Sequence, residues 1–364
     1  MMKIIPSLEL KELYYANKAN WLTALEQVTD TVLVRPEEEL GKAYRYKLSI
    51  YDYLKRYYKV NTKLKFMMDH GIFVTNSQFR EYFHLDKTPE TLLKIYHKLG
   101  VTYALTYDVP ARLHLQIALS QTEKLRRGLH PELRKQVKEI SVATESEMGK
   151  KVKELSEKAV ELTLKNLKEQ LEIKNREGYS FTLIPSIQGI FKEDALRCLK
   201  ESIDLLLSYN EKDLYIAIGT GGTRLKYEDA GLINELLLTG KEYAKKKGAE
   251  VKFHLLGFSA SSVMKMLRID LVYSVDAVTM QRRAIEKKVY IMQNKELKLL
   301  PVSQINKETW SCKCPACTNF KDLVLEDSSK RENHIRLVHN AFMLKEYLEK
   351  ESIKRKSVLN LWSE

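Results

Sequence analysis

The sequence predicts an α/β protein, a (β/α)8 TIM barrel with a helical insertion and a C-terminal zinc-binding subdomain. Three observations lead there: short apolar runs that each end on a polar residue or glycine, helical patterns between them, and a cysteine-rich segment after residue 310. The runs are TDTVLV (29–34), LKFMMD (64–69), VTYALTYD (101–108), FTLIPSIQ (181–188), LYIAIG (214–219), VKFHLLG (251–257) and IDLVYSVD (269–276). Between them, ETLLKIYHKLG (90–100), KEDALRCLKESIDLLLS (192–208), NELLLTGKEYAKKKG (234–248) and SASSVMKMLR (259–268) space apolar residues as helices do. Strand and helix alternating in this way mean parallel βα units. Seven or eight units suit a (β/α)8 barrel, with a doubly wound open sheet as the alternative.

The runs are followed by Asp69, Asp108, Gln188, Gly219 and Asp276. In a barrel such positions converge on one mouth, where active sites are built. Residues 120–178 break the alternation with Lys- and Glu-rich helical sequence, in which Val152, Leu155, Ala159 and Leu162 are apolar at helical spacing. They read as an insertion between two barrel strands. KVYIMQNKELKLLPV (288–302) reads as a β-hairpin turning at Gln293–Asn294–Lys295. The domain reading is therefore a barrel with its insertion over 1–300, and a zinc-binding segment with a C-terminal helix over 301–364.

Of 364 residues, 44% are hydrophobic, enough for a full core. No stretch approaches the roughly 18 uninterrupted apolar residues of a membrane helix. The opening MMKIIPSLELKELYY offers no apolar signal-peptide region. A soluble, cytoplasmic protein is the expectation. The net charge of +13, from 61 Lys+Arg against 48 Asp+Glu, favours polyanionic partners such as nucleic acid. Four cysteines occur, and three of them crowd into Cys312–Cys317, which suits a metal site better than a disulfide framework. Cys198 falls in a helical apolar pattern and reads as core.

In WSCKCPACTNFKDLVLEDSSKRENHIRLVHN, Cys312-x-Cys314-x-x-Cys317 supplies three closely spaced thiolates for a tetrahedral zinc ion. The fourth ligand is His339 or His334, with His339 preferred. With four protein ligands the site is closed and structural. A finger built on Cys314, Cys317, His334 and His339 would leave Cys312 idle.

This cysteine motif, followed by a histidine in a Val-His-Asn context, resembles the zinc motif of the tRNA-guanine transglycosylase superfamily. FMMDHGIF (66–73) is similar to the family's strand-end aspartate followed by a small-residue turn and an aromatic. IPSIQGIF (184–191) is similar to Val-Gln-Gly-Gly, giving Gln188 and Gly189, and YIAIGTGG (215–222) resembles Ile-Gly-Gly-Leu, giving Gly219. LVYSVDAVTMQRRA (271–284) resembles the stretch that holds the nucleophilic aspartate and a downstream arginine, here Asp276 and Arg282. These elements run in family order from about residue 64 to 345.

The resemblance implies a pentosyltransferase that exchanges guanine in DNA or tRNA for a 7-deazaguanine base through a covalent aspartyl-glycosyl intermediate. Asp276 would be the nucleophile and Asp69 the proton-transfer carboxylate. Asp108 would hold the guanine edge, Gln188, Gly189 and Gly219 would complete the base pocket, and Arg282 would bind substrate. A flipped or unpaired nucleotide is expected. Arg282, Arg283, Lys287 and Lys288, with Lys354, Arg355 and Lys356, are candidate phosphate contacts. A homodimer is also implied. The sequence departs from the family at His70-Gly71-Ile72, at Gly219-Thr220-Gly221-Gly222-Thr223, and at Met280-Gln281-Arg282, where Pro-Thr-Arg is usual. With Asp108-Val109-Pro110, these departures lean the reading to the DNA-modifying, DpdA-type branch. A catalytically silent nucleic-acid-binding subunit is the reading from another class.

Overall fold

Parallel strands alternating with helices make up the chain, as the spacing predicts. The structure is a computed structural model that describes residues 2–71, 74–120, 129–219, 229–257, 267–276, 278–326 and 330–360. Its strands are Lys3–Ile5 (β1), Thr31–Val34 (β2), Lys65–Met68 (β3), Tyr103–Leu105 (β4), Thr182–Ile184 (β5), Ser186–Ile187 (β6), Leu214–Ile218 (β7), Val251–Leu255 (β8), Ser274–Asp276 (β9), Lys288–Gln293 (β10) and Glu296–Pro301 (β11). Every predicted run holds a strand. FTLIPSIQ holds two, because Pro185 has no N–H to give the ladder and splits the run into β5 and β6. β1 was not anticipated: three residues are too few to show a pattern. Most of the helix expected over 259–268 lies outside the described residues, as does 121–128 of the insertion.

The chain packs as two compact units, Met1–Val34 with Tyr51–Phe66 and Gly257–Glu364, and Arg35–Ile50 with Met67–Leu256. In the first, β1 pairs in parallel with β9, Ile5 opposite Asp276, and Ser7 bridges Leu33. β10 and β11 form the antiparallel hairpin, turning through Asn294 and Lys295, both at positive φ as a tight two-residue turn requires. Lys330–Asn360 is one long helix packed on that hairpin. Its Asn340 side chain accepts from the Tyr290 N–H at 2.9 Å and donates to the Lys288 carbonyl at 3.1 Å, so an amide extends the β10 ladder. Arg336, fully buried, donates to the carbonyls of Ala284 (3.1 Å) and Glu326 (2.6 Å).

In the second unit, the Met67–Met68 end of β3 pairs with β4 and β4 with β5, while β6 pairs with β7 and β7 with β8, all in parallel. All five residues of β7 are buried, as expected of a parallel strand covered on both faces. The insertion is a short helix, Arg134–Ser141, and a long one, Glu145–Glu177. The long helix starts at a Thr144–Glu147 capping box and stops at Gly178, whose φ of +66° takes the left-handed cap that a glycine adopts without strain. Leu155, Ala159 and Leu162 bury against Leu113, Ile117, Val137 and Ile140, with Val152 packed at the edge. A second stripe of this helix is polar and buried: Thr163, Asn166 and Gln170.

Candidate metal centre and a carboxylate–histidine cluster

The metal centre lies within the first unit. Cys314 is the N-cap of the helix Pro315–Leu325, and its sulfur accepts the Cys317 N–H at 3.2 Å. Pro315 at the first helical turn fixes that geometry without losing a hydrogen bond. Cys312 Sγ in turn accepts the Cys314 N–H at 3.5 Å. The long helix Lys330–Asn360 brings His339 to the same point. Its Nδ1 lies 3.7 Å from Cys312 Sγ, 3.3 Å from Cys314 Sγ and 3.4 Å from Cys317 Sγ. All four donor atoms fall within 4.8 Å of one another. A tetrahedral zinc ion with its usual bond lengths puts sulfur and nitrogen about 3.6 Å apart, so the donor set fits.

The surroundings complete the fit. His339 Nε2 is 2.8 Å from the Tyr290 carbonyl and donates to it, which leaves Nδ1 as the lone-pair donor. Trp310 Nε1–H donates to Cys317 Sγ at 3.3 Å. Burial opposes a charge on His339, yet the neighbouring sulfurs raise its pKa to about 10. The same crowding raises the Cys317 thiol, through hydrogen bonds to Cys312 and Cys314. The Cys312 thiol is pushed the other way, down, by its hydrogen bonds with Cys314 and Cys317. His334 is elsewhere: its Nε2 faces Glu12 Oε1 at 3.6 Å and its ring meets Trp21 edge-on. His339 is thus the fourth donor of the cluster, and Cys312 belongs to it.

The second cluster lies within the second unit. Asp108 follows β4. One carboxylate oxygen is 2.5 Å from His70 Nε2 and the other accepts from the Gln188 side-chain amide. The insertion helix fixes this aspartate from behind. Gln170 accepts from the Tyr107 N–H (2.9 Å), Asn166 donates to the Tyr107 carbonyl (3.0 Å), and Thr163 accepts from the Val109 N–H (3.0 Å). These three residues recur at helical spacing inside a segment read as insertion, and only that spacing could have signalled them. Asp69, after β3, accepts from the Gly71 N–H at 3.2 Å and has Arg35 at 3.9 Å.

Lys87 joins this group and was not anticipated. It is 9% exposed and donates to the Gly71 carbonyl at 2.6 Å, tying down the turn after Asp69. Burial pulls its pKa down to about 8, against the opposing pull of Asp69 and Asp108. His70, 4% exposed, keeps Nδ1 without a hydrogen-bond partner among the described residues. Gly189 takes φ +139°, and a Cβ there would come within 2.6 Å of the Ala195 nitrogen, so the turn after Gln188 needs glycine. Gly189 and Gly219 line one recess of about 20 Å³ with Arg112, Ile187 and Ile218.

The other two sequence-derived positions belong to the first unit. Asp276 ends β9, is buried, and accepts from the Gly257 N–H. Arg282 is on the exposed face of the helix Val278–Ile285 and pairs with Glu286 at 2.9 Å. Arg283 (2.6 Å) and Lys288 (3.3 Å) converge on the same carboxylate, and hydrogen bonds from Arg283 and Arg282 push Glu286 down to about 2. Three cations of the basic run after Asp276 therefore share one carboxylate, and the run stays net positive. Cys198 is buried, its thiol pushed up to about 12 by burial, and it serves as core. No described helix is long and apolar enough to cross a membrane. No protein-family model matches the chain, and no curated protein matches it.

Proposed function

We propose that this chain is a transglycosylase that exchanges guanine in nucleic acid for a 7-deazaguanine base, with DNA the favoured polymer and tRNA the alternative. The observation that carries the reading is Asp108, gripped by His70 and Gln188 at the end of β4, with Asp69 and Lys87 in the same cluster. An ionised carboxylate offers about four lone-pair sites, so two held contacts leave capacity for the N1–H and exocyclic amine of guanine. The finer architecture this reading takes is a (β/α)8 barrel, supported by parallel pairing along β3–β4–β5, along β6–β7–β8 and between β1 and β9.

In the proposed reaction the Asp276 carboxylate attacks the anomeric carbon and the carbon–nitrogen bond to guanine breaks. The departing base takes a proton from Asp69. The incoming deazaguanine then returns a proton to Asp69, attacks the same carbon and releases Asp276. Lys87 would hold the Asp69 turn through the Gly71 carbonyl. The ion in the Cys312, Cys314, Cys317 and His339 site is assigned as structural zinc, whose chemistry there is to close the fold.

Labelled guanine offered with duplex DNA and tRNA side by side tests the reading. Incorporation into DNA supports it as stated, incorporation into tRNA alone moves the substrate, and no incorporation into either favours a silent nucleic-acid-binding subunit. A covalent adduct trapped with the wild type, and absent with Asp276→Asn, would identify the nucleophile.

A further inference from the structure

The first unit carries a ribbon of tyrosines that the base-exchange reading does not use. Tyr15 meets Tyr14 with ring centroids 5.4 Å apart, Tyr14 meets Tyr58 at 5.1 Å, Tyr58 meets Tyr53 at 5.9 Å, and Tyr53 meets Tyr57 at 4.8 Å. The inner rings are buried or half-buried, whereas the two ends are open: Tyr15 is 41% exposed and Tyr57 45%. Core packing accounts for Tyr53. It does not account for large rings left in water at both ends.

Cations are exposed on or just beyond the two helices that carry the ribbon. On the helix Ile50–Tyr58 Lys55 and Arg56 are exposed, as is Lys59 just past its end, whose ammonium donates to the Arg56 carbonyl at 3.4 Å. Lys18 is exposed at the end of the helix Leu10–Lys18, which Asn17 links to the Lys59 carbonyl at 3.4 Å. Among the described residues none of these four cations is in an ion pair, in contrast to Arg282, Arg283 and Lys288, which share Glu286. The Arg56 guanidinium sits 5.6 Å from the Tyr57 ring centre. An open ring at each end, on helices that also expose cations, suits a chain of phosphates whose bases are free to stack. A duplex hides its base faces and fits poorly.

We propose that the Tyr15–Tyr14–Tyr58–Tyr53–Tyr57 ribbon, with Lys18, Lys55, Arg56 and Lys59, is a binding surface for single-stranded nucleic acid. It does not rest on the exchange reaction. The test uses the full, metal-loaded chain and fluorescence anisotropy with labelled oligothymidylate and oligouridylate of about a dozen nucleotides. Neither strand contains guanine, so binding is read apart from any exchange site. Both strands should bind, and the tighter one assigns the sugar. Tyr15→Ala with Tyr57→Ala should weaken binding by about five-fold or more, while Tyr57→Phe keeps it. Lys55→Gln, Arg56→Gln and Lys59→Gln together should flatten the log–log salt dependence by about 2. Wild-type chain that binds neither strand, that binds a duplex equally well, or that is matched by both sets of variants overturns the proposal. Binding without guanine exchange would leave this surface standing and sink the proposed function instead.

Discussion

The metal centre and the Asp108 cluster are built in opposite ways. In the first, three of four donors come from six consecutive residues, and each sulfur and both imidazole nitrogens have a partner within the site. In the second, side chains from positions 69 to 188 meet, and satisfaction is incomplete. His70 Nδ1 and Thr106 Oγ1 are buried without a partner among the described residues, and Lys87 is buried as a cation beside two aspartates. A site whose four donors converge, with their outer partners in place, is one that a structural ion completes. The second keeps buried polar groups that a bound ligand could pair.

Metal removal tests the first half of that contrast and has the largest expected effect. Chelation, or Cys314→Ser, should destabilise the chain by several kcal/mol, because metal binding and folding are one equilibrium at such sites. One ion per chain by elemental analysis, and a melting temperature that falls with chelator, are the expected outcomes; an unchanged melt would mean the cluster is incidental. Asp108→Asn tests the second half. The proposed guanine exchange should drop by a hundred-fold or so, about 3 kcal/mol, from loss of an acceptor oxygen, with little change in melting temperature. A large loss of stability with activity retained would reverse the assignment of roles.

Titration sharpens the comparison further. Lys87 has its pKa lowered to about 8 by burial, so between about pH 8 and 10.5 the unfolded chain binds the extra proton and stability should rise with pH. The whole effect is at most about 3 kcal/mol, and Lys87→Met should flatten that part of the denaturation-versus-pH curve. In the first unit Glu12 behaves in the opposite sense. Burial raises it to about 7, its hydrogen bonds to Glu9 and Gln281 opposing, so its contribution is full below about pH 4.5 and lost as pH climbs to about 7. Glu12→Gln should remove that loss. The smallest effect expected is from His334→Ala, which should keep the ion, whereas His339→Ala should release it. Metal content of the two variants decides.

Much of this was legible along the chain. The alternation of apolar runs and helical patterns located seven strand regions, and the Cys-x-Cys-x-x-Cys spacing located the metal centre, because both signals are local and repeat at a fixed period. Gln188 and Asp108 were named through resemblance, and their side chains are hydrogen-bonded to each other. Lys87 was invisible: a lysine before Thr88-Pro89 reads as a helix-capping loop, and nothing in its neighbours says that its ammonium is buried. Arg282 was named as a substrate contact, and its pairing with Glu286 depends on rotamers that the sequence does not express.

What the amino acids determined by themselves was the mixed α/β character, the strand ends that carry the aspartates, and three of the four metal ligands, since short-range spacing sets backbone conformation and ligand geometry. The sequence preferred His339 and left His334 open, and the tertiary structure placed His339 among the sulfurs. Those two lie five residues apart on one long helix, and only its packing on the β10–β11 hairpin turns one imidazole to the sulfurs and the other to Glu12. It also alone placed Thr163, Asn166 and Gln170 behind Asp108. A contact between residues more than fifty positions apart is fixed by how helices pack, not by any pattern within a single element.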